Sequence, residues 1–203
     1  MYNRLHHAGR PFPSLMTPND VTLALEDFIA RALVARDADH FTVPLDPDWR
    51  SPCELNPDTD APTTHWRPVR QEPSVDFRGL ENALECNIHP DIQAFYGSFW
   101  SGSFEARSME GHVSLIQLWN EEDFDRLIAN LIGHALAKQR ARLPFTVFFA
   151  TTEPESELFL SIENETGYIL LEEPGRPPVK RVEDNLARFL RRLDPIDSPP
   201  VIY

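Results

Sequence analysis

Apolar residues fall at helical spacing in some stretches of this chain and alternate with polar ones in others. The first helical stretch starts near Val21, with Leu25, Phe28, Ile29 and Ala32 on one face. Asn19 or Asp20 can cap it, and it ends near Asp37. Leu80, Leu84 and Ile88 predict a short helix before Pro90. Asp91 to Phe99 predicts another, within an aromatic cluster of Phe95, Tyr96, Phe99 and Trp100. The longest helix is expected from Glu121 to Arg142, striped by Phe124, Leu127, Ile128, Leu131, Ile132 and Ala135. Asn120 caps it and Asp123 forms an imperfect capping box. Glu121, Glu122 and Asp123 at its start, and Lys138, Arg140 and Arg142 at its end, suit the helix dipole. Gly133 inside it costs roughly 1 kcal/mol relative to alanine, which points to a close packing approach there. A final amphipathic helix is expected over Val182 to Leu193.

Strand patterns occupy Thr64–Val69, Ser103–Ser108, His112–Trp119, Phe145–Thr151, Glu157–Glu163 and Tyr168–Glu172. Met109, Glu110 and Gly111 make a hairpin turn, and Thr166 with Gly167 makes another. Residues 40–78 contain seven prolines and read as a long loop region with one short strand. The domain organisation expected is a flexible N-terminal arm over 1–19, one α/β (α+β-like) domain over 20–195 and a loose tail over 196–203. Its core is a mixed, largely antiparallel sheet packed by helices.

Composition narrows the class. At 41% hydrophobic and 25% charged, the 203-residue chain is globular. No apolar run approaches the roughly 20 residues of a membrane helix, and residues 1–18 lack the apolar stretch of a secretory signal. Membrane association is therefore expected to be peripheral, with no direct insertion. Two cysteines, Cys53 and Cys86, suit reduced thiols in a cytoplasm. The net charge of −13 is concentrated in one half: residues 20–125 carry 21 acids against 7 bases, while 126–203 are close to balance. Such a chain is expected to repel nucleic acid and anionic lipid and to favour a basic partner.

Catalytic patterns are missing. There is no glycine-rich phosphate loop, no G-x-S-x-G elbow and no H-E-x-x-H helix. Cys86 and His89 have metal-ligand spacing but no second paired set, so no metal is expected. Glu121, Glu122, Asp123 and Asp125 read as a solvated helix start rather than as catalytic carboxylates, and His134 as a packed histidine. The expected catalytic, metal and cofactor sets are all empty, with no small-molecule substrate. A binding role follows instead. Glu81 and Glu85, four residues apart, are expected to share a helical face. With Trp66, Tyr96 or Trp100 as a floor, they are expected to border a concave surface suited to Lys and Arg side chains.

From Ser103 onward the chain resembles the Syd family, the SecY-interacting proteins of gammaproteobacteria. The strongest stretch joins Leu115, Gln117 and Trp119 to Glu122–Asp123–Phe124, Asn130–Leu131–Ile132–Gly133–His134, Lys138, Arg140, Leu143–Pro144 and Phe148–Thr151. Weaker matches are Ser51–Pro52–Cys53, Trp66, Pro68, Glu81, Phe95–Tyr96, Gly102, Asn185–Leu186–Ala187 and Phe189–Leu190. The resemblance covers about residues 20–195 and implies a Smi1/Knr4-like fold. It also implies a non-enzymatic binder that docks, through an acidic concave face, on the cytoplasmic loops of the SecY translocation channel and checks translocon assembly. The expected location is cytoplasmic and peripheral on the inner membrane. Such loops are rich in Lys and Arg, which agrees with the charge map. The partner-binding set expected is Glu81, Glu85, Glu122, Asp123, Trp66 and Trp100, and oligomeric state is left open. Two rival readings are an immunity protein against a basic toxin and, more remotely, a hydrolase using Cys86 or the Glu121–Asp125 carboxylates.

Overall fold

The periodic stretches become the elements of a computed structural model that describes residues 18–36, 40–55 and 61–197. The N-terminal arm up to residue 17 and the end of the tail from 198 lie outside the described residues. In chain order the elements are α1 (Pro18–Ala35), β1 (Phe41–Pro44), β2 (Thr63–Trp66), β3 (Val69–Arg70), α2 (Arg78–Leu84), α3 (Pro90–Tyr96), β4 (Phe99–Trp100), β5 (Phe104–Ser108) and β6 (Gly111–Leu115). There follow α4 (Glu121–Ala141), β7 (Thr146–Thr151), β8 (Phe159–Glu163), β9 (Ile169–Glu172), β10 (Lys180–Glu183), α5 (Leu186–Arg191) and β11 (Asp194–Pro195).

A seven-stranded sheet in the order β10-β9-β8-β7-β6-β5-β11 organises the domain. Each neighbouring pair in it is antiparallel. The fold is therefore a single mixed α/β domain around an antiparallel sheet, as expected from the sequence. Strand alternation sends two sets of side chains to opposite faces. Phe104 meets Phe28 of α1, while Phe149 meets Phe95 of α3 and Phe189 of α5, all edge to face at 5.6–5.7 Å. On the other face His134 of α4 lies edge-on to Phe148 and Phe159. Helices thus cover both faces, and Leu127 and Leu131 of the α4 stripe are buried, with Phe124, Ile128 and Ile132 packed against the core.

The structure corrects several sequence expectations. The first helix opens at Pro18, so Asn19 and Asp20 sit in its first turn rather than at its cap. Among the described residues of 40–78 there are three short strands instead of one, with β1 paired to β2 and β3 to β4. Phe99 leaves the helix pattern for β4 because it pairs there with Arg70. β6 stops at Leu115, short of Trp119. Residues 180–183, partly read as helix, pair with β9, since the helix start is set by Asn185, which accepts from the Arg188 N–H as an N-cap. Ile196 and Asp197, expected in a loose tail, continue the sheet edge: the Ile196 N–H donates to the Glu105 carbonyl and Asp197 pairs with Arg36 at 2.6 Å. The Gly133 expectation also fails, because a Cβ there would meet nothing within 4 Å.

Candidate functional site

Segments far apart in sequence converge on one groove of about 300 Å³. They are the end of α1, the chain from β1 to Glu54 together with Trp66 of β2, the link from β4 into β5, the turn from β6 into α4, and Ile196 just after β11. Proline-rich loops usually need help to hold a shape, and here hydrogen bonds supply it. The Trp119 indole N–H donates to the Trp49 carbonyl at 2.9 Å, and the Asn120 side-chain amide donates to the Arg50 carbonyl at 2.8 Å. The Ser51 hydroxyl donates to the Trp119 carbonyl. The loop is thus tied to the start of α4. Cys53 lies buried beneath it, and burial pushes its thiol up to about 12, so it stays protonated and unreactive at neutral pH.

The groove wall is aromatic. Phe41 stacks on Trp66 at 4.5 Å, and Trp66 also meets Phe104 and Trp119 at 5.8 Å. Gly102 is required for this arrangement, since a Cβ there would lie 2.7 Å from the Trp66 ring. The wall is also acidic. Asp46, Glu54, Glu105 and Asp123 line it, with Arg36 the one basic residue among the described lining residues, and Arg126 lies 3.9 Å from Asp123. Glu54 pairs with Arg50, and Glu105 lies 2.8 Å from His112. Asp123 accepts from the Trp119 N–H at 3.1 Å, while its own N–H donates to Asn120. The capping box is thus displaced by one residue, with the carboxylate reaching past the cap. Burial raises the Asp123 carboxyl above its ordinary value.

Of the residues singled out from sequence, the groove brings together Trp66 and Asp123. Glu122 is exposed on the first turn of α4, beside Asp123. Trp100 is buried, at 8% exposure, in β4 and does not line the groove. The shared helical face of Glu81 and Glu85 is corrected: α2 ends at Leu84, and Glu85 is its left-handed C-cap at φ 53°. Glu81 instead accepts from the Ile88 N–H at 2.9 Å, and neither residue lines the groove. Asp46, Trp49, Glu54, Glu105 and Gln117 line it without having been picked out as site residues, because their neighbourhood depends on tertiary return of the chain.

A second cavity, also about 300 Å³, lies between α4 and the sheet, lined by Ile116, Ala137, Phe148, Phe159 and Pro174 among others. Beside it Lys138, read from sequence as a dipole residue, is buried against the fully buried Glu172. Glu172 also accepts from the Thr146 and Ser161 hydroxyls at 2.7 Å. His134 contacts Thr146 at 3.0 Å, and burial followed by the Lys138 charge holds its pKa below the usual range. This polar cluster is internally satisfied, and it ties α4 to the sheet. Near Cys86, the His89 ring accepts from the Asp91 N–H as the α3 cap. Among the described residues no cluster of three or more His, Cys, Asp or Glu is placed to hold a metal ion.

Comparison with known proteins agrees with this architecture. Residues 22–195 match the family model described as Syd protein (SUKH-2). The chain is 39% identical over 180 residues to Protein Syd of Pseudoalteromonas atlantica, covering 86% of this chain and 96% of that protein. It is 41% identical over 161 residues to Protein Syd of Hahella chejuensis, covering 77% and 83%. It is 40% identical over 146 residues to Protein Syd of Pectobacterium atrosepticum, covering 72% and 79%. With a family model spanning most of its length and relatives at this identity, the chain belongs to the Syd family.

Proposed function

We propose that the protein is a docking factor that engages the basic cytoplasmic loops of the SecY channel through this groove. It would act from the cytoplasmic side of the inner membrane and check or regulate translocon assembly. The identity of the partner comes from the resemblance to Syd proteins. The sign of its charge is supported by one observation: four acidic residues and a wall of aromatic rings line one concave surface, with Arg36 the one basic residue among the described lining residues, although Arg50 and Arg126 at its border pair with Glu54 and Asp123. Carboxylates in a partly desolvated groove attract Lys and Arg more strongly than the same groups in open water. No helix among the described residues is long and apolar enough to cross a membrane, and attachment through a channel loop requires none.

The test is capture from detergent-solubilised inner membrane. The protein should retain SecY as the major species. Reversing exposed Asp46 and Glu122 to lysine together should reduce retention severalfold while the protein remains folded at the assay temperature. Equal retention by the reversed variant, or a different major species, would defeat the proposal.

A further inference from the structure

The groove contains polar groups that its own fold leaves unused. Trp66 is 2% exposed and its indole N–H has no hydrogen-bond partner among the described residues. Gln117 is 7% exposed, and neither its amide nitrogen nor its amide oxygen has one. Both residues line the groove. Buried polar groups are nearly always paired, so three orphaned positions in one wall call for an explanation.

Their chemistry selects a ligand. A guanidinium or an ammonium carries only donors. It could use the Gln117 oxygen, but it would leave the Trp66 N–H and the Gln117 NH₂ unmet. A peptide unit offers one acceptor and one donor. The Gln117 amide can give its N–H to a main-chain carbonyl and accept from a main-chain N–H, while Trp66 donates to a further carbonyl. We infer that the groove reads the main chain of an extended basic segment, through Gln117 and Trp66, in addition to reading its positive side chains through the acidic wall. This rests on the groove being the docking site. Because the three atoms are closed to water in the free protein, the segment must enter the groove and the wall must shift to bring Gln117 and Trp66 to its main chain. Main-chain reading also makes recognition tolerant of sequence: any accessible, extended and acid-poor segment qualifies, and a helical one does not, since its main-chain groups are already paired.

The test uses the full chain and a short Lys-rich peptide as probe, with binding followed by calorimetry at several salt concentrations. Gln117→Leu keeps the side-chain volume, and Trp66→Phe keeps an aromatic ring. Trp66→Phe should weaken binding about tenfold, the worth of one hydrogen bond, and Gln117→Leu by more, since it removes two, with the salt dependence unchanged in both. Melting temperature should hold or rise for Gln117→Leu, because a buried unpaired amide has been removed. Methylating the peptide's main-chain nitrogens should weaken binding to the wild type and have a smaller effect on Gln117→Leu. If Gln117→Leu and Trp66→Phe bind the probe as the wild type does, the main-chain reading is wrong while the acidic docking surface stands. If the wild type fails to bind the probe even at low salt, the docking reading falls and takes this inference with it.

Discussion

Asp91 shows how far a single residue's environment can depart from its sequence context. In the chain it is an ordinary acid behind Pro90, well placed to favour a helix start. In the structure it is 1% exposed, and one carboxylate oxygen has no hydrogen-bond partner among the described residues. Burial, opposed by the Leu186 N–H and reinforced by the charge of Asp20, lifts its carboxyl from 3.8 to about 6. The folded state therefore holds this proton more tightly than the unfolded chain does. Its contribution to stability is complete below pH 3.8 and is lost as pH rises through about 6. Asp91→Asn keeps an acceptor for the Leu186 N–H and has no charge to bury. Denaturant unfolding should show the wild type losing up to about 3 kcal/mol relative to Asp91→Asn between pH 4 and pH 7. A difference that does not change with pH would show that this carboxyl is not perturbed.

At the scale of elements, α4 was legible almost to the residue, and so were the strands β5, β7, β8 and β9 within a residue or two. Each carries a strong period and a local stop signal, such as Asn120, Pro144 or Gly167. What escaped was short and paired at a distance. β3, β4 and β11 are two residues long and exist because of the strand opposite them, not because of any local pattern. The groove was half legible for the same reason: Trp66 and Asp123 were visible as residue types, but only the chain's return places Gln117 and Glu105 beside them. Gly133 marks where local reasoning overreached. Its position in α4 is exposed, and a side chain there meets nothing. Gly133→Ala should therefore stabilise the protein by about 1 kcal/mol through helix propensity alone. Thermal unfolding measures this directly, and a fall in stability would restore the tight approach that the sequence suggested.

At the scale of the whole molecule the governing quantity is charge, −13 in all. Self-repulsion of that size destabilises a compact state. Part of the excess is gathered at the groove, which Asp46, Glu54, Glu105 and Asp123 line together with Arg36. The pairs scattered over the surface, such as Arg31–Asp27 and Arg188–Asp184, are exposed and worth little individually. Salt should therefore act on folding and on docking with opposite signs. Between about 0.01 M and 0.15 M ionic strength the screening length shortens from about 30 Å to about 8 Å. Over that range repulsion within the folded chain is relieved, and the melting temperature should rise. Attraction between the groove and a basic segment is screened over the same range, and affinity for that segment should fall, mostly through slower association. One salt series, read by thermal unfolding and by binding kinetics on the same samples, separates the two effects. If the melting temperature fell with salt, the surface ion pairs would outweigh the net charge. If affinity held constant instead, the acidic wall would have no part in capture.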